Sequence, residues 1–135
     1  MFPNLAVIRG QQLFFNYALV IFEMLDLQEV GLHSLTDILR GAVYIVKNPM
    51  LCYHDNIDWN VLSRNSSEGS HYIANNRIMN ECPGCSASLT CPNRTNTKEP
   101  LCWTVTTAKR VSLNIVSNRL IKFLRHFVQI LYFLL

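Results

Sequence analysis

The sequence predicts a β-rich fold: a right-handed parallel β-solenoid of leucine-rich type, followed by a short disulfide-rich segment and an apolar tail compatible with a helix. Three observations lead there. "LAVIRG", residues 5–10, returns in part as Ile38-Leu39-Arg40-Gly41, and short Leu/Val/Ile runs recur 22 residues apart (Ile8 to Val30) and 24 apart (Val20 to Tyr44). A spacing in the twenties with Gly or Asn at corners suits a coil that lays one short strand per turn on each face. Five cysteines fall between positions 52 and 102. The tail from Thr104 has none and is rich in Leu, Ile and Phe.

Length and composition bound the answer. At 135 residues, 50% apolar and 16% charged, the chain is at most one domain with a modest core. The net charge of +3 is concentrated near the C-terminus, where Lys109, Arg110, Arg119, Lys122 and Arg125 lie. A near-neutral body does not suit a nucleic-acid surface.

In order along the chain, "LFFNYALVIFEM" (13–24) reads as strand with apolar residues on both alternating faces. In a stacked coil Val20 neighbours Tyr44 and Phe22 neighbours Val46, while Leu19, Ile21, Val43 and Ile45 point inward and fill the core. The other face, with Phe14, Phe15, Tyr17, Val20 and Phe22, is either covered by a neighbouring loop or domain or is a docking surface. Residues 51–64 read as a helical or turn segment in which Trp59 and Val61-Leu62 plug the coil. Residues 65–70, "NSSEGS", form a polar loop suited to a glycan at the Asn65 sequon, and Asn93-Arg94-Thr95 is a second sequon. From Ile78 to Trp103 the chain is loop-rich, with Pro83, Pro92 and Pro100 among four cysteines, so cross-links replace a core there.

Clustered cysteines beside sequons read as a secreted, oxidised module, and their odd number leaves one thiol over. "CPGC" at 82–85 sits in no βαβ context of a redox motif. Zinc would need a second close pair, and Cys91 and Cys102 stand far apart with no histidine near. The four histidines are scattered; His33 and His54 read as solvated loop residues. No glycine-rich phosphate loop is present. No cofactor or metal is expected.

"FPNLAVIRGQQLFFNYALVIFEMLDLQEVGLHSLTDILRGAVYIVKNPMLCYHDNIDW", Phe2 to Trp59, resembles the second half of the first L domain of the insulin receptor and insulin-like growth factor receptor family. The resemblance continues more loosely from "NECPGC" to "LCW" at Cys102-Trp103, which is similar to the start of that family's furin-like cysteine-rich region. It implies a partial receptor L domain over 1–81, the start of the cysteine-rich region over 82–103, and a tail outside the family over 104–135. It also implies a hormone-binding sheet bearing Phe14, Phe15, Tyr17, Val20, Phe22 and Glu23. Tyr44 and Val46 stand where an Arg and a Glu are usual, which makes the patch more apolar. Cys52 is expected to pair with Cys82 and Cys85 with Cys102, leaving Cys91 unpaired.

The partners implied are an insulin-like peptide hormone and a receptor subunit of the same family, at the extracellular face of the plasma membrane. Membrane attachment would come only through the rest of the receptor. The family's kinase motifs are absent from these residues, so no enzyme activity is expected of them. "MFPNLAVIRG" has neither the basic start nor the long apolar core of a signal peptide, and no tail segment reaches the ~20 apolar residues that cross a bilayer. The chain is thus expected to be part of a longer receptor; the alternatives are a truncated decoy or dominant-negative module, or a piece with no function of its own. A membrane-surface helix in the basic, apolar tail is a weaker reading.

Overall fold

The computed structural model describes residues 2–63, 65, 66 and 70–109. The rest of the tail, with the helix and membrane-surface anchor expected of it, lies outside the described residues. The fold is β-rich with little helix. Its strands are β1 Val7–Ile8, β2 Tyr17–Phe22, β3 Asp37–Ile38, β4 Ala42–Val46, β5 Tyr72–Ala74, β6 Cys102–Thr104 and β7 Thr107–Ala108. One short helix, α1 Trp59–Leu62, and a 3-10 turn, Met79–Glu81, complete the elements among the described residues.

The sheets are small and unclosed: β1 pairs with β3, β2-β4-β5 form a parallel three-stranded sheet, and β6-β7 form an antiparallel pair. Val20 lies opposite Tyr44 and Phe22 opposite Val46, the register that the 24-residue spacing calls for. β5 adds a third row, with Tyr72 beside Tyr44 and Ala74 beside Val46. Parallel strands that close both neighbours and core are apolar on the inner face. Leu19, Ile21, Val43 and Ile45 are buried accordingly and join Val30, Leu32, Ile38 and Leu51 in one core.

The corner after the three-stranded sheet is built the same way in each row. Glu23, Lys47 and Asn75 follow Phe22, Val46 and Ala74, and all three have positive φ, at 52°, 59° and 56°. Side chains rarely take this left-handed conformation unless neighbours hold it. The Glu23 and Lys47 amides donate to the carbonyls of Val46 and Ala74, each at 3.2 Å. One residue further on, Asn48 is fully buried. Its Oδ1 accepts from the Met24 amide at 2.9 Å, and its Nδ2 donates to the Ile21 carbonyl at 3.1 Å and to Asn76 Oδ1 at 2.9 Å. Asn76 in turn donates from Nδ2 to the Ile45 carbonyl at 2.8 Å. The two asparagines stitch successive rows together where the backbone leaves its ladder and its polar groups need other partners.

Beyond the sheet, Asp58 caps α1 by accepting from the Val61 amide at 3.2 Å. Trp59 and Leu62 enter the core, whereas Val61 is 41% exposed and is not part of the plug; a single helical turn cannot aim adjacent positions at the same side. Trp59 meets Trp103 edge-on, with ring centroids 6.0 Å apart. Trp103 is 1% exposed, so the last described hairpin belongs to the main core. That hairpin runs through Thr104 to Ala108. Lys109 follows it, buried, with Nζ donating to the Asp58 carbonyl at 3.2 Å; burial holds its pKa below the ordinary lysine value, against the pull of Asp58.

Disulfides join Cys52 to Cys82 and Cys85 to Cys102, and Cys91 is free. They gather around Tyr53 in a second small cluster. His54 departs from the sequence reading: it is 5% exposed rather than solvated. Its Nε2 lies 3.1 Å from the Arg77 carbonyl and its Nδ1 3.3 Å from the Asp55 carboxylate. Burial, the largest effect, favours the neutral ring, but the Asp55 contact and the Arg77 carbonyl together raise the His54 pKa above its ordinary value.

Candidate functional site

Outer-face residues of the three-stranded sheet assemble an aromatic platform. The Tyr44 ring is its centre: Tyr17 lies 5.0 Å away, Tyr72 5.6 Å in a stacked arrangement, and Phe22 6.1 Å. Such ring pairs contribute roughly 0.5–1.5 kcal/mol each beyond their buried area. Tyr17 reaches this face because of a bulge. By strict alternation it would share the inner face with Leu19 and Ile21, but the register slips between Tyr17 and Leu19, with Tyr17 opposite Ala42 and Leu19 opposite Val43. The extra residue, Ala18, is buried, and Tyr17 turns outward.

Phe14 and Phe15 stand just before β2. Phe14 and Tyr17 exchange both backbone hydrogen bonds, at 3.0 and 2.8 Å, across a turn whose central residues, Phe15 and Asn16, have φ of 46° and 72°. Asparagine accepts that conformation readily, and phenylalanine does not. The turn holds Phe15 79% exposed, edge-on to Phe14 at 4.7 Å.

The other candidates sort by position. Val20 is half-buried, and Glu23 is exposed at the corner. Val46 is only 3% exposed. It sits between Phe22 and Ala74 in the register, so it supports the platform from within instead of presenting a contact. Tyr72, 51% exposed, escapes a sequence reading because its strand is three residues long and ends in Asn75-Asn76. The 28-residue step from Tyr44 is the one available signal.

The platform carries little net charge. Lys47 Nζ lies 3.3 Å from Glu23 Oε1 and 5.4 Å from the centre of the Phe22 ring, so the two ions answer each other, and an exposed pair of this kind adds little stability. Among the described residues no group of three His, Cys, Asp or Glu side chains could hold a metal ion. The arrangement can bind an apolar partner surface.

His71 couples this sheet to pH. The Val43 amide donates to its Nδ1 at 3.0 Å, which requires an unprotonated nitrogen. Burial lowers the His71 pKa, partly opposed by Asp58. A lowered histidine value means that the contribution is fully present above about pH 6.5 and is lost as pH falls through the folded value. Urea midpoints measured from pH 8 to pH 5 should therefore fall less steeply in His71→Gln than in the parent. His54, raised, acts in the opposite sense and loses its contribution as pH rises.

Comparison with known proteins identifies what the chain is similar to. The family model described as receptor L domain matches residues 1–63. The chain is 52% identical over 107 residues to the insulin-like peptide receptor of Branchiostoma lanceolatum, covering 76% of this chain and 7% of that protein. It is 52% identical over 82 residues to the insulin-like growth factor 1 receptor of Xenopus laevis, covering 61% and 6%. With the insulin receptor-related protein of Homo sapiens it shares 43% over 119 residues, covering 82% and 9%. The chain thus spans less than a tenth of the length of these relatives.

Proposed function

We propose, from the match of residues 1–63 to the receptor L domain family model, that the chain is a ligand-binding piece of an insulin-like peptide receptor ectodomain that meets hormone through the aromatic platform. The observation that carries this reading is the continuous aromatic row Tyr17-Tyr44-Tyr72 with Phe22 beside it and Phe14 and Phe15 exposed at its end. Contiguous exposed apolar patches mark interaction sites, and aromatic anchors are enriched among the residues that dominate binding energy. The parallel rows and their shared corner are read as successive turns of a right-handed solenoid, whose flat face presents the anchors. Residues 1–81 form the L-domain part, 82–103 the start of a cysteine-rich region, and 104–135 a tail outside the family. A second receptor subunit is the other partner, and the setting is the cell exterior.

Titrating the isotopically labelled chain with insulin and with insulin-like growth factor 1 tests this. Resonance changes should centre on Tyr17, Phe22, Tyr44 and Tyr72, and Phe15→Ala should weaken binding by roughly 1–3 kcal/mol without loss of folding, since Phe15 is 79% exposed. Unchanged affinity in a folded Phe15→Ala variant, with changes scattered elsewhere, would discard the platform as the contact surface.

A further inference from the structure

At the Phe15 end of the platform lies a groove of about 340 Å³, lined among others by Leu13, Phe15, Tyr17, Gly41, Asn65 and Ser70. Its volume falls at the small end of sites that hold compact ligands, roughly 300–1,000 Å³. Its lining combines the rings of Phe15 and Tyr17 with the amides of Asn16 and Asn65 and the hydroxyls of Ser66 and Ser70. A pyranose ring has complementary chemistry, with C–H faces that pack on aromatic rings and a hydroxyl edge that seeks hydrogen bonds.

The lining also contains an attachment point. Asn65 opens an N-x-S acceptor sequence, is exposed, and donates from Nδ2 to the Leu39 carbonyl at 3.1 Å. An amide nitrogen has two hydrogens. Glycan transfer replaces one of them with C1 of an N-acetylglucosamine and leaves the other to keep the Leu39 bond. In that step the C1–O bond to a lipid-pyrophosphate carrier breaks, the N–C1 bond forms, the carrier leaves as its pyrophosphate, and the transferase's base takes the proton.

We propose that Asn65 carries an N-linked glycan whose first N-acetylglucosamine lies in this groove against Phe15 and Tyr17. The tether fixes the occupant: Asn65 is itself a lining residue, so the sugar enters without losing the freedom of a diffusing ligand. A sugar held there shares Phe15 and Tyr17 with the docking face, so the hormone titration above applies to the chain without the glycan. Asn93, the other acceptor, is paired with Pro100 in a bridge among the cysteine-bearing loops and is not part of the groove wall.

The whole chain, secreted from a glycosylating eukaryotic host with ¹³C-labelled acetyl groups on its sugars, tests the placement. Mass analysis of the peptide bearing Asn65 should show occupancy. The acetyl methyl resonance assigned by its loss in Asn65→Gln should be displaced upfield by ring currents and should return to the free-sugar position in Phe15→Ala or Tyr17→Leu, with the Asn93 sugar unmoved as the internal reference. An unoccupied Asn65 in folded, secreted chain, or an occupied one whose methyl resonance matches that on Asn93 and ignores both aromatic substitutions, overturns the proposal.

Discussion

Replacing Asn48 with alanine is expected to destabilise the chain by about 2–4 kcal/mol, because one side chain answers three polar groups at the corner. The Met24 amide, the Ile21 carbonyl and Asn76 Oδ1 all bond to Asn48, which is fully buried. Alanine leaves the Ile21 carbonyl unanswered in the interior and the part-buried Met24 amide without its acceptor, while Asn76 Oδ1 keeps the Asn48 backbone amide at 3.2 Å. Asn48→Asp sharpens the test, since a carboxylate still accepts from Met24 but places a second acceptor against the Ile21 carbonyl; it should be no better than alanine at neutral pH. Asn76→Ala should cost less, because Asn76 is only part-buried. Urea denaturation of the four chains under non-reducing conditions gives the ranking, and a loss below about 0.5 kcal/mol for Asn48→Ala, the scale of an ordinary surface change, would mean that the ladder does not hold the rows.

Trp103→Ala should cost about 3–5 kcal/mol, the range for removing a large buried aromatic. Trp103 is 1% exposed and meets Trp59 edge-on, so truncation opens a cavity between the hairpin and α1. The local disulfide, Cys85–Cys102, is adjacent in sequence, which allows a diagnostic pair. Trp103→Phe keeps most of the packing and should lose well under half as much. With the disulfides reduced, the Trp103→Ala chain should unfold at lower denaturant still, because the cross-links restrict the unfolded chain independently of core packing. If instead alanine at 103 is neutral in the oxidised chain, the hairpin is held by its disulfide alone and the shared core is not a source of stability.

Much of this was legible in the residues, and the exceptions have physical causes. The β2–β4 register followed from apolar runs 24 residues apart, since stacked rows require like residues at like positions. The inward set Leu19, Ile21, Val43 and Ile45 followed from alternation. β5 did not, because "YIA" is too short to show a period of two. Tyr17 is expected on the platform face with Phe22, but alternation alone does not put it there; the bulge does. Val46 looked like a surface residue by alternation, yet its neighbours Phe22 and Ala74 enclose it. His54 looked solvated because burial of a histidine depends on partners distant in sequence, here the Arg77 carbonyl. Of the site, the β2 residues could be read from the sequence, whereas Tyr72 and the groove beside Asn65 depend on segments distant in sequence that the fold brings together.

The corner has a consequence for how such a chain can change over generations. Asn48 follows Met24 by 24 residues and Asn76 follows Asn48 by 28, yet all three join one stitched line. The stitching therefore fixes where each row arrives and leaves free how far the chain wanders before arriving. Insertions and deletions in exposed stretches between the rows cost loop-closure entropy that grows only slowly with length, whereas one residue added within 42–48 would shift the anchor off the line and turn the β4 side chains on one side of it to the opposite face. Homologues should accordingly vary in loop length while keeping the spacing from strand to corner invariant.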